Sequence, residues 1–414
     1  MLAFQKRLSV VALTVLLILF ARVSLYGQIP AGERLVFYLS SDGHLHTLFA
    51  PSGRGWTDVD LNIKNSVIPL PTFGTQLTSF LDYYHYVHVF YLENTSQICE
   101  LVITGISSAG FSGGEFVPTS VPGAPAAAAG SALTAFLDTS SGSNNFIHVF
   151  YQGTNGHVYE FYHSGPGYPP PTVTFDDPTS LGHGPVATSG SALTSFMQSG
   201  VMHVFYFGTN ANVYELYWTG GTSWHSDNPT SLAGAPAAAS VGSLTSFIDG
   251  SGFMHVFYLS GQNVHELYWT GGATWHIDDA TTQAGAPLNA SGSALTSFVN
   301  TSGLGDTGMH LISLGTNQHV YAFHSMSSPA WGYFDATAAS SGVPGTTNGS
   351  KLLSFRDTAT GGVRTYFEGQ NAHVYELYWP SEGTASETDL TLASGAGINA
   401  TGGPPTSSLA GVME

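Results

Sequence analysis

The sequence predicts an all-β protein: a seven-bladed β-propeller of four-stranded antiparallel blades, closed by a C-terminal strand that completes the first blade. Three observations predict it. The segment HVFYFGTNANVYELYW, beginning at His203, recurs along the chain as near-copies such as HVFYQGTNGHVYEFYH from His148 and HVFYLSGQNVHELYW from His255. Each copy contains four short, turn-bounded apolar segments, which is the pattern of a β-meander. The first copy lacks its opening segment, and an imperfect version of that segment stands at the C-terminus.

The heads of the copies fall at Leu35, His88, His148, His203, His255, His310 and Arg364, so the period is about 54 residues. The copy at His255 is shorter by one residue, in LSGQNV. The first strand of each repeat is a GSALTSF-like segment, ending at Phe80, Phe136, Phe196, Phe247, Phe298 and Phe355. The second and third strands are HVFY and VYELYW, joined by a turn of the GTN kind. The fourth holds Trp and Asp, as in TSWHSDNPTSL and ATWHIDDATTQ. Seven such meanders arranged radially make a propeller. The stretch from Ser407 to Val412 resembles the strand missing before RLVFYL, so it is expected to pair there and hide two open strand edges.

Composition agrees with this architecture. Charged residues make up only 9% of the chain and aromatics 13%, with 50 glycines, which favours short strands and turns over helices. An apolar fraction of 43% suffices for a core. The 9 basic residues against 27 acidic ones give a net charge of −18, and no Lys/Arg cluster offers a groove for nucleic acid. The acidity serves solubility rather than a partner.

Residues 1–27 read as a secretory signal: Lys6 and Arg7 precede an apolar run from Leu8 to Phe20, too short to span a bilayer comfortably. Residues 28–414 then form one propeller domain that is secreted, periplasmic or extracellular and does not insert into a membrane. Cys99 is the sole cysteine, so no internal disulfide exists, and its strand position marks it as a buried, inert thiol. Asn94 and Asn348 begin glycosylation sequons, relevant only in a eukaryotic secretory route.

A repeat built only to fill a core has no need of a carboxylate. Along a strand alternate residues share a face, so Glu215 lies with Val213 and Tyr217, and Trp218 with Tyr214 and Leu216. A carboxylate accepts strong hydrogen bonds from paired sugar hydroxyls, an aromatic ring covers a sugar's C–H patch, and His or Arg supplies a donor. Head and glutamate stand twelve residues apart at His88/Glu100, His148/Glu160, His203/Glu215 and Arg364/Glu376, and eleven apart at His255/Glu266.

This arrangement resembles the propeller lectins that bind L-fucose. The fungal fucose-specific lectins carry Arg and Glu at a similar separation, with a Trp or Tyr. The seven-bladed bacterial lectins related to the Photorhabdus lectin share the H-V-F-Y … V-Y-E-L-Y-W and G-A-P … A-L-T-S-F segments. The resemblance implies several similar weak sites for fucosylated or methylated glycans, placed between blades. The fullest sets are Glu215 with Trp218, Glu266 with Trp269 and Glu376 with Trp379, and a neighbour's Trp224 or Trp275 is an alternative stacking face. Arg fills the head only at Arg364. Thr47 and Ala322 replace the glutamate in the first and sixth copies, leaving five candidate sites.

Other readings compete. The repeated histidines suit a hydrogen-bond network that staples strands within a blade, and the tryptophans suit blade packing. Glutamate is the residue packing explains least, because a half-buried carboxylate is costly without a partner. A non-catalytic scaffold for protein–protein interaction is the alternative function. Glycosidases need two carboxylates at one site, sialidase-like propellers need several arginines, and no G-x-S-x-G nucleophile has triad partners, so an enzyme is not expected. No cofactor is called for. His44 and His46 form a close pair on one strand face, but no Cys or Asp cluster joins them in the sequence, so no metal site is expected. Homo-oligomerisation stays open.

Overall fold

Strand-forming runs such as VHVFYL, VMHVFYF and MHVFYLS alternate with Gly- and Asn-rich turns, and the chain pairs them into seven separate four-stranded antiparallel sheets. The computed structural model describes residues 33–413 except 41, 52–54, 65–67, 73–74, 94, 108–109, 121, 140–144, 165–171, 301–307, 326–329, 341–343, 348, 358–359, 382 and 396–408. The signal segment and both sequon asparagines lie outside the described residues. No helix among the described residues is long and apolar enough to cross a membrane.

Blades 2 to 7 begin at Thr78, Leu133, Leu193, Leu244, Leu295 and Leu353, and each takes four consecutive strands. Blade 1 differs as expected. Its first strand is the C-terminal Leu409–Met413, which pairs antiparallel with Arg34–Leu39 in the register Phe37 to Ala410. First strands of neighbouring blades touch around a complete circle, including Leu409–Met413 against those of blades 2 and 7. Closure is therefore achieved by the two ends of the chain sharing one sheet, which removes the open edges.

The repeated motifs have physical tasks. In LTSF the threonine of one blade meets the serine of the next: Thr134 to Ser195 at 2.9 Å, Thr194 to Ser246 at 2.7 Å and Thr245 to Ser297 at 2.8 Å. These hydroxyls lace the inner strands together. The tyrosine of HVFY is buried and donates to a proline carbonyl in the segment before the first strand: Tyr151 to Pro125, Tyr206 to Pro185 and Tyr258 to Pro236. A threonine after the fourth strand accepts the first amide of the third strand, as Thr230 does from Val213 at 2.8 Å.

The apolar core is divided as the blades are. Its clusters each combine residues of two adjacent blades, as in Phe205, Phe207 and Val213 of blade 4 with Val256, Tyr258 and Trp275 of blade 5. Cys99 is buried in the cluster between blades 1 and 2, and burial pushes its thiol up, which keeps it unreactive.

Candidate functional site

Strand register in blade 4 aligns Phe196, His203, Tyr217 and His225 in one row across all four strands. Their rings follow one another at 5.5, 6.3 and 5.1 Å. Blade 5 repeats the row as Phe247, His255, Tyr268 and His276. His203, Phe247 and His255 are buried, and Phe196, Tyr217 and Tyr268 are half-exposed. Glu215 lies on the same face, opposite Phe205. A carboxylate only accepts, so His203 Nδ1 carries the proton and donates to Glu215 Oε1 at 2.5 Å.

In all five copies that carry both residues, the head bonds the glutamate of its own blade, a partner that the sequence reading did not give the carboxylate. The distances are 2.7 Å for His88–Glu100, 2.5 Å for His148–Glu160 and His255–Glu266, and 2.7 Å for Arg364–Glu376. Every glutamate is at least 95% buried. The first and sixth copies lack the pair, having Leu35 with Thr47 and His310 with Ala322.

Sequence reading missed a third member. The aspartate that follows LTSF by two residues lies on the far side of the head. Asp82 is 3.4 Å from His88 Nε2, Asp249 is 3.6 Å from His255 Nε2, and Asp357 takes two bonds from Arg364 at 2.9 and 2.7 Å. The signal was present in LTSFLD, LTSFID and LLSFRD, but nothing in the spacing shows that this end of the strand folds over the head. Blade 4 has Gln198 there instead.

The second carboxylate oxygen separates the five pairs. Glu100 Oε2 accepts from His163 of blade 3 at 3.0 Å, and Glu266 Oε2 from Trp331 Nε1 of blade 6 at 3.0 Å. Glu376 Oε2 accepts from Arg34 of blade 1 at 2.8 Å and from Tyr366 at 2.7 Å. These three are closed by the next blade. Glu160 Oε2 has no hydrogen-bond partner, and neither has His148 Nε2, whose nearest carboxylate contact is the Asp138 oxygen at 4.0 Å. Electrostatics follow the contacts. Burial acts to raise the Glu100 carboxyl, but His163 and His88 outweigh it and hold it at about 2. At Glu160 and Glu215 burial prevails over the single histidine bond, and both carboxyls are raised.

The tryptophans require a correction of pairing. Trp218 packs toward blade 3 and Trp269 toward blade 4, on the opposite face of the strand from the glutamate of their own blade. Trp218 therefore shares an interface with Glu160, and Trp269 with Glu215. Both are half-exposed, and each indole donates to a turn carbonyl, Gly221 or Gly272, at 2.8 Å. Trp224 and Trp275 are buried, packed edge-on against Phe150 and Phe205 of the preceding blade. Trp379 is buried against Phe334. These three rings serve blade packing and offer no open face.

Blade 1 overturns another expectation. Asp60 Oδ2 lies 2.8 Å from His44 Nδ1, and Asp58 Oδ2 lies 3.1 Å from His46 Nδ1, so aspartates do join the histidine pair. The turn that carries Asp42 and the end of the fourth strand brings them there, from sixteen residues away in the case of Asp60.

No protein-family model and no curated protein matches the chain. Solved structures do. The BP39L lectin of Burkholderia pseudomallei superposes with a TM-score of 0.63 at 15% identity, covering 85% of this chain and 93% of that one. What the two share is the propeller fold. The Aleuria aurantia lectin, described as a six-bladed β-propeller with a novel fucose recognition mode, gives 0.51 at 15% identity, covering 74% of this chain and 92% of that one. AofleA of Arthrobotrys oligospora gives 0.50 at 15% identity over 76% of this chain and 86% of its own. This chain has seven blades where the Aleuria protein has six.

Proposed function

We propose that the chain is a secreted, non-catalytic carbohydrate-binding protein with several weak sites between blades, L-fucose or an O-methylated sugar being the ligand. The observation that carries this reading is at the interface of blades 3 and 4. There Glu160 Oε2 and His148 Nε2 lack hydrogen-bond partners, and Trp218 stands half-exposed against the apolar cluster that joins the two blades. An unpaired buried acceptor and nitrogen are costly, and a polyol's hydroxyls offer both donors and acceptors. Between blades 4 and 5 His203 Nε2 likewise lacks a hydrogen-bond partner, and Glu215, Tyr217 and Trp269 make the second candidate there. The structural neighbours support the reading: they are lectins, and the Aleuria protein's recognition concerns fucose. Glu100, Glu266 and Glu376, held by donors from the next blade, are the weaker candidates. Repeated weak sites gain by avidity on a multivalent surface, and the N-terminal apolar run supports export.

A glycan array with purified protein tests this. Binding to fucosylated or methylated glycans that is lost in Glu160→Gln/Glu215→Gln, with the circular dichroism spectrum unchanged, is the expected result. Absence of binding to every glycan overturns it and leaves a protein-binding scaffold, whereas steady release of free sugar would mark a hydrolase.

A further inference from the structure

Comparison of the seven copies isolates blade 1. At the hairpin end of a blade, a histidine ahead of the third strand commonly meets the aspartate that ends the fourth: His157–Asp177 and His319–Asp335 at 2.8 Å, His373–Asp389 at 2.7 Å, and His44–Asp60 at 2.8 Å. At the neighbouring positions blades 3, 4 and 7 place a neutral Asn–Tyr couple, and blade 5 has His265 at the tyrosine position. Asn155 donates to Tyr159, Asn210 to Tyr214 and Asn371 to Tyr375. Blade 1 alone has Asp42 and His46 at those two positions. We propose that Asp42, His44, His46 and Asp60 form a binding site for a divalent transition-metal ion of the zinc kind.

The four side chains each offer one ligand atom, all within 4.8 Å of one another. The separations from Asp42 Oδ2 to His44 Nδ1 and His46 Nε2, and from Asp60 Oδ2 to His46 Nε2, are each 3.7 Å. Ligands about 2.0–2.1 Å from a tetrahedral zinc stand about 3.3 Å apart, so small side-chain shifts suffice. His46 is the decisive member. It is 99% buried, and its Nε2 has no hydrogen-bond partner. Its Nδ1 faces the Asp58 carboxylate, which only accepts, so Nδ1 carries the proton, and in the neutral imidazole Nε2 presents a lone pair toward Asp42 and Asp60. Asp58 is itself fixed by Tyr38, whose hydroxyl donates at 2.9 Å. A carboxylate behind an imidazole is the support that metal-bound histidines ordinarily have. Two carboxylates neutralise a divalent charge, and two nitrogens with two oxygens favour zinc over calcium or magnesium. The site is independent of the sugar reading, for blade 1 lacks the head and glutamate. It also lies at the hairpin end of its strands, away from the Phe–His–Tyr row.

The test uses untagged full chain stripped with EDTA and titrated calorimetrically with Zn²⁺, and with Co²⁺ as a visible-absorption probe. One ion per chain with micromolar or tighter affinity and the intense bands of tetrahedral cobalt are expected, with no uptake of Mg²⁺. The variant Asp42→Asn/His46→Tyr installs what other blades carry, so it should fold and melt like the stripped wild type while binding zinc at least about 100-fold more weakly. Asp58→Asn, which touches no ion, should weaken zinc about 10- to 100-fold. No saturable uptake by the wild type, or equal uptake by the double variant, overturns the proposal.

Discussion

Glu100 and Glu160 occupy the same place in successive blades and meet opposite fates. Each is buried and takes a proton donor from the histidine twelve residues earlier. The next blade decides the rest. Blade 3 ends its third-strand motif in His163, which reaches back to Glu100 and completes an ion-paired network. Blade 4 ends the same motif in Trp218, which leaves Glu160 with one oxygen unfilled. One residue, on a different repeat, turns the same motif from a staple into a candidate site. A buried carboxylate bridged by two imidazoles is stabilised as an anion, whereas one with a single partner is penalised by its own desolvation.

The comparison breaks most sharply by removing each charge. Glu100→Gln leaves His88 and His163 without their shared anion, and loss of about 3–5 kcal/mol in unfolding free energy is expected by denaturant titration. Glu160→Gln should cost about 1 kcal/mol, since it gives up one bond and relieves a buried charge. Equal losses would show that His163 adds nothing.

Acid and base should act on the same network. His88 is raised to about 9, because the bonds to Asp82 and Glu100 overcome its burial. A raised folded value means that its stabilisation is complete below its ordinary 6.5 and is lost as pH climbs through about 9. Glu100 is depressed, so its contribution is complete above its ordinary 4.5 and fades as pH falls toward about 2. Thermal melts should therefore decline from pH 6.5 to 9 by an amount of order 2 kcal/mol, and His88→Gln should flatten that slope. A slope unchanged in the variant would assign it to other groups.

The mildest test exchanges the deciding residue. Trp218→His is expected to close Glu160 as His163 closes Glu100, reducing glycan stoichiometry by one site and weakening avidity about tenfold on a multivalent surface. His163→Trp should have the reverse effect on Glu100, seen as loss of acid resistance. Unaltered stoichiometry in Trp218→His would separate Glu160 from sugar binding.

Much of the fold was legible because it is repetitive. Period, strand alternation and turn residues recur seven times, so errors in any copy are corrected by the others, and the displaced strand at Leu409–Met413 announced the closure. The recurrence of head and glutamate was legible for the same reason, but not that each head bonds the glutamate of its own blade and is buried with it. Two more things were hidden. Asp82, Asp249 and Asp357 lay in plain view after LTSF, but their approach to the heads depends on how the first-strand turn folds over. The partners of each glutamate's second oxygen, His163, Trp331 and Arg34, lie about one repeat or nearly the whole chain away, and no local spacing reports them.

The sequence by itself determined the seven blades, their strand order, the way the ring closes and the five copies that carry both head and glutamate, since hydrophobic alternation and register are set within each repeat. Only the tertiary structure decided which tryptophan faces which glutamate, which carboxylates are filled, and that Asp42 and Asp60 gather around His44 and His46. Those outcomes depend on contacts between neighbouring blades and across a turn, where the geometry of packing, not the order of residues along one strand, brings the groups together.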